Sequence, residues 1–188
     1  MKHISLALIL FCLSFQKTKT FDKSAITAAA RLLQLIESKA YSKIDAEFLT
    51  KRNYYYKKYA GAPPSIYWDT ESSKGIELAL GVNHHFLSPN KHDIIQDTTS
   101  YICANNGWSK AGVFIDNDPS NFNFDNVMFH RNKYEFENFS DDEIAFAKNV
   151  KENGYRIVVT KHDLVFWLIK IEQKWQLYAI DFDLLCGV

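Results

Sequence analysis

The sequence predicts an α+β domain, with N-terminal helices packed on a curved antiparallel sheet that ends in a three-strand meander. Three observations carry this. Apolar residues recur at three- and four-residue steps from Ser24 onward. A capping-box pattern, 140-SDDE-143, opens a later helical stretch that ends at Asn153-Gly154. Three strand-like runs then follow, at 155–160, 164–171 and 175–182, with breaks short enough only for hairpins. The chain has 188 residues and 47% hydrophobic content, enough for one domain with a real core and too apolar for a disordered chain.

The first element is not part of that domain. Lys2 and His3 precede the apolar run 4-ISLALILFCLSF-15, and polar residues follow. A short cationic start and an apolar stretch too short to span a bilayer predict a secretory signal over residues 1–20 and a mature domain over 21–188. Ser14 suits the position before a cut better than Thr18 or Thr20. Cys12 would suit a lipoprotein signal, but the bulky Ile9, Leu10 and Phe11 before it do not. A buried first helix would show polar periodicity, which residues 4–15 lack. The expected location is periplasmic or extracellular, with no membrane insertion after cleavage. Cys103 and Cys186 would then remain, an even count in an oxidising compartment, either joined as a disulfide or buried as two free thiols. There is no CxxC.

From Ser24, the residues Ala25, Ile26, Ala29, Leu32, Leu33, Ile36 and Ala40 form one stripe. The pattern runs on through Ile44, Phe48 and Leu49 after a break near Tyr41-Ser42. One or two helices are expected within 24–59, with Ser24 and Asp22 competing as cap, and Gly61, Pro63 and Pro64 as the stop. The segment 76-IELALGV-82 reads as a strand or a short helix. The stretch 94–104 reads as one strand, Asn105-Asn106-Gly107 as a turn and 111–115 as another strand. Residues 116–126 read as a loop, without the glycine and closing Glu of a calcium loop. Ser140 and Glu143 cap a helix that Gly154 ends in a left-handed conformation. In the last strand, strict alternation places Trp175, Leu177, Ala179 and Asp181 on one face and Gln176, Tyr178, Ile180 and Phe182 on the other. Both faces are largely apolar, so the closing hairpin is expected to be covered on both sides or to line a cavity.

N-terminal amphipathic helices and a closing 173-QKWQLYAIDFD-183 resemble the nuclear transport factor 2-like superfamily, with its cystatin-like cone. Lys174, Trp175, Gln176, Leu177 and Ile180 match its closing pattern. The resemblance covers the first helices and the last three strands. It implies a helix-backed cone, often with a pocket between sheet and helices, and frequently a homodimer. Its members include isomerases, dehydratases, ligand binders, protein-binding modules and immunity proteins, so the fold alone says little about activity. Its enzymes often place an Asp–His pair inside the cone. Asp181 is the positional match for the base, and His130 is carried with it as helper. The plain alternative for Asp181 is a carboxylate exposed at a strand end.

Other chemistry is sparse. Lys plus Arg and Asp plus Glu both number 22, so no net field favours nucleic acid or an anionic membrane. The cluster 84-HHFLSPNKHD-93 matches no metal-ligand spacing; His84 and His85 would face opposite ways on a strand, and no metal or cofactor is expected. No nucleophile elbow, P-loop, HExxH or Gly-rich dinucleotide motif occurs. The run 54-YYYKKYAGAPPSIYW-68 is richest in surface-type aromatics. Tyr54, Tyr55, Tyr56, Tyr67 and Trp68, with Trp108 and Trp175, are the candidate contacts for a partner, against the alternative that they supply core burial. The leading expectation is an exported binding module for a protein or small apolar ligand, an immunity-type inhibitor being one version. The second is a cofactor-independent lyase or isomerase using Asp181 and a His.

Overall fold

A computed structural model describes residues 20–49, 54–58, 65–69, 76, 90, 93–134 and 137–181; of 54–58 and 67–69 it gives the backbone path. Helix α1, Ser24–Glu37, buries the expected stripe, and Ala25, Ala29, Leu32 and Leu33 are fully inaccessible. The small residues let the helix approach the sheet closely, and the leucines fill the space between. Asp22 braces the first turn: its Oδ1 accepts from the Ser24 N–H at 2.9 Å, and its carbonyl from the Ala25 N–H. Lys39 takes a positive φ and turns the chain into helix α2, Tyr41–Phe48, which buries Ile44 and Phe48.

The helical reading fails beyond α2. Residues Tyr54–Lys58 form strand β1, paired antiparallel with β2, Ser65–Asp69, and parallel with the last strand. A Tyr-rich stretch suits a pleated surface, and an available strand edge settles the choice between helix and strand.

The remaining strands are β3 (Ile94–Gln96), β4 (Tyr101–Ile102), β5 (Gly107–Trp108), β6 (Val113–Asp116), β7 (Tyr155–Val159), β8 (Leu164–Ile171) and β9 (Lys174–Asp181). Seven of the nine form one sheet in the order β2-β1-β9-β8-β7-β6-β3; β4 and β5 make a separate ribbon. The closing meander is as expected, but the sheet is mixed, because β1–β9 and β3–β6 are parallel. The single strand expected over 94–104 divides into β3 and β4. Between them Asp97 Oδ1 accepts from the Thr98 N–H, and Lys110 Nζ donates to the Thr98 carbonyl, so side chains take main-chain groups that a ladder would use.

Helices cover both faces of the sheet. On one, α1 and α2 pack against Ile115, Tyr155, Ile157, Val159, Phe166, Leu168, Leu177 and Ile180. On the other lie α3, Phe124–Tyr134, and α4, Asp141–Asn153, over Phe114, Val158, Val165, Trp167, Tyr178 and Ala179. This explains the near-continuous apolar runs of β7 and β8: alternate residues serve two cores. Among the described residues, no helix is long and apolar enough to cross a membrane.

Two local expectations are corrected. Leu168 opposes Leu177 and Trp167 opposes Ala179, so Tyr178 is one extra residue, a β-bulge in β9. Tyr178 and Ala179 therefore both enter the α3–α4 core, and the alternation reverses after them. Asp181 pairs with Val165 and lies on that face, opposite to Trp175 and Leu177. Gly154 is extended, with φ −78° and ψ 174°, not left-handed. Its requirement is space: a Cβ there would meet the Val150 carbonyl oxygen at 2.5 Å and the Leu168 carbonyl at 3.2 Å. The capping box is present as read, with the Ser140 N–H donating to Glu143 Oε2 at 2.8 Å and the Glu143 N–H to Ser140 Oγ at 3.3 Å.

Candidate functional site

Helix α3 was not anticipated by the loop reading of 116–126. It begins after a short 3-10 turn, Pro119–Asn121, whose cap Asp118 accepts from the Ser120 N–H. Phe124, Val127 and Met128 anchor its inner face, and buried Asp125 receives Lys151 Nζ of α4 at 3.2 Å. Arg131 Nε donates to Glu137 Oε1 at 2.7 Å, and Arg131 NH1 reaches Ser65 Oγ at 3.5 Å. That contact seats α3 against β2, the strand at one margin of the described sheet.

The outer face of α3 is aromatic. Phe129 is 55% exposed and Tyr134 61%. His130 stacks on Tyr134, with ring centroids 5.8 Å apart and planes at 15°, and meets the Phe129 ring edge-on at 5.9 Å. Lys133 Nζ lies 5.0 Å from the Tyr134 centroid. Single exposed apolar residues are ordinary; adjacent large rings in mutual contact on one helix face form a patch. The spacing of Phe124, Val127 and Met128, with Asp125 in the first turn and Arg131 and Lys133 in the last, carries the signal from which α3 could have been read.

The sequence-nominated residues divide. Asp181 is buried at the end of β9, whereas His130 is exposed on α3, and no hydrogen bond joins them among the described residues. Trp175 lies at the β8–β9 hairpin end. Its Nε1 donates to Ser24 Oγ at 3.1 Å, its ring meets Tyr155 edge-on at 5.3 Å, and Lys170 Nζ sits 5.6 Å from it. Trp108 lies at the opposite end of β8. Its Nε1 donates to Asp163 Oδ1 at 2.9 Å, and its ring meets Tyr101 at 5.5 Å. Eight strand residues, roughly 26 Å, separate those ends, so Trp108 and Trp175 do not share a surface. Tyr54, Tyr55 and Tyr56 run along β1, and Tyr67 and Trp68 along β2; the register opposes Tyr55 to Trp68 and Tyr56 to Tyr67. Their side chains lie outside the described residues, as do His84, His85 and His92. Among the described residues, no group of His, Cys, Asp and Glu could hold a metal ion. Cys103 is disulfide-bonded, and Cys12 and Cys186 lie outside the described residues.

One buried charged group stands apart from this face. Arg156 donates from Nε and NH2 to Asp116 Oδ2, at 3.0 and 2.7 Å, and from NH2 to the Thr99 carbonyl at 2.8 Å. Burial raises the Asp116 carboxyl above the usual carboxylate range, and the adjacent guanidinium pulls the other way. These bonds tie the start of the ribbon segment to β6 and β7, a structural role.

The fold and surface so described define a three-layer α+β domain with an aromatic helix face beside a sheet margin. No protein-family model, curated protein or solved structure matches the chain.

Proposed function

We propose that the protein is an exported binding module that engages a protein partner through the outer face of α3 and the adjoining β2 margin. The carrying observation is the contiguous exposure of Phe129, His130 and Tyr134 on the helix whose Arg131 reaches Ser65 of β2. Large aromatics that stay accessible are the residues from which binding energy is usually drawn. The interior supports a protein over a small apolar ligand. Phe166, Leu168, Leu177 and Ile180 are packed under α1 and α2, and Phe122, Phe124, Trp167 and Tyr178 pack ring against ring under α3 and α4. Export is supported by the apolar N-terminal run and by the bonded state of Cys103.

A photoreactive amino acid placed at Phe129 or Tyr134, in the organism's own cells, tests this. Both positions are expected to cross-link to the same protein, while Thr27, exposed on α1, does not. Equal labelling at all three positions, or none at 129 and 134, would sink the proposal.

A further inference from the structure

We propose that the sulfur bonded to Cys103 is that of Cys186, so that one disulfide fastens the β4–β5 ribbon to the chain just past β9. Cys103 is bonded, and the sequence offers only Cys12 and Cys186 as partners. The topology decides between them. Cys103 follows β4 in a 3-10 turn, Cys103–Asn105, at the tip of the ribbon. The base of that ribbon is held at the β7–β8 turn, where Trp108 donates to Asp163. Strand β9 finishes at the same end of the sheet, since Asp181 pairs with Val165, two residues past Asp163. Cys186 is five residue steps beyond Asp181, a reach of up to about 17 Å.

Cys12 approaches from the wrong end. Phe21 packs edge-on against Tyr155, and the Asp22 N–H donates to the Tyr155 hydroxyl, at the start of β7. Tyr155 pairs with Leu168 and Asp22 accepts from Lys170, so this point lies five to seven residues along β8 from Asp163, towards the β8–β9 hairpin. Nine residue steps from Phe21 back to Cys12 reach roughly 30 Å when fully extended, most of which the roughly 17–23 Å along β8 takes up before the ribbon is reached, whereas the chain to Cys186 starts at the ribbon's own end of the sheet. Cleavage of the expected signal would also remove Cys12.

The bond forms by oxidation of the two thiols. Two protons and two electrons leave, and a disulfide of the export compartment, carried by a protein or a small thiol, takes them up and becomes two thiols. The product closes a loop from residue 103 to residue 186, and a closure of that length restricts the unfolded chain strongly.

A non-reducing tryptic map of the exported protein, alkylated before digestion, is the test. Cleavage after Lys91, Lys110 and Lys174 gives peptides 92–110 and 175–188, each with one cysteine. The expected result is one linked species of these two peptides that separates on reduction. In Cys186→Ser, Cys103 should take up one alkyl group per chain. Alkylated Cys103 in the unsubstituted protein, or its linkage to the peptide holding Cys12, would overturn the proposal. The map reads the covalent bond directly, so failure here leaves the α3 binding face untouched, and failure of the cross-linking leaves the bond.

Discussion

Trp175 illustrates how a residue that draws attention in sequence can serve as an anchor. Its indole N–H, its ring edge and the cation above it hold the first turn of α1 to the end of the sheet, through Ser24, Tyr155 and Lys170. Asp22 completes the junction. Its carboxylate accepts from Lys170 Nζ at 2.9 Å and from the Ser24 N–H, and chiefly the lysine contact lowers its pKa from 3.8 to about 2. A depressed carboxylate contributes stability above its unfolded pKa, near 4, and loses it as pH falls through the folded value near 2. Asp22 is 38% exposed, so solvent screening holds the contribution below about 1 kcal/mol. Asp22→Asn should therefore lower the urea midpoint slightly at pH 6, and the difference from the unsubstituted protein should shrink towards pH 2. A difference that persists unchanged at pH 2 would show that the ion pair is not its source. None of this was legible from Asp22 itself, because Lys170 is 148 residues away in sequence.

Elements set by neighbours in sequence were readable, and those set by distant partners were not. The Ser140–Glu143 capping box and the β8–β9 hairpin follow from local chemistry. Strand β1 needed the edge of β9, and the bulge at Tyr178 needed the facing strand β8. The bulge is the costliest omission for site reasoning: one extra residue moved Asp181 to the face opposite Trp175 and removed the basis for grouping them. The hairpin is suboptimal in a way that can be measured. Glu172 and Gln173 both take positive φ, 48° and 65°, in a two-residue loop between Ile171 and Lys174. That is the territory of Asn-Gly, and ordinary side chains there cost about 1–2 kcal/mol per residue. Replacing Glu172→Asn together with Gln173→Gly should raise stability by about 1 kcal/mol, seen as a higher urea midpoint with an unchanged slope. A lower midpoint would mean that the two side chains contribute contacts worth more than their backbone strain.

At the scale of the molecule, the sequence disclosed the class through its composition and the two-sided apolar runs of β7 and β8. It did not disclose that the second helical layer begins at Phe124, because the loop-forming residues of 116–123 mask the short helix after them. The consequence is a single sheet that is the shared wall of two cores. Phe166 and Trp167 are consecutive in β8, 0% and 2% exposed, and point into opposite layers, the first beneath α1 and α2 and the second beneath α3 and α4. Truncating either to Ala should cost about 3–5 kcal/mol, since each leaves a cavity in a packed layer. Losing either layer exposes the apolar face it covers on the same strands that form the floor of the other core. The losses should therefore appear in one transition, with far-ultraviolet and near-ultraviolet circular dichroism coincident during urea unfolding of both variants. If Trp167→Ala instead splits the transition, with the near-ultraviolet signal lost first, the α3–α4 layer is a separable unit laid on an independently stable sheet. The aromatic face of α3 would then be carried by a detachable element, and partner binding would be coupled to its docking.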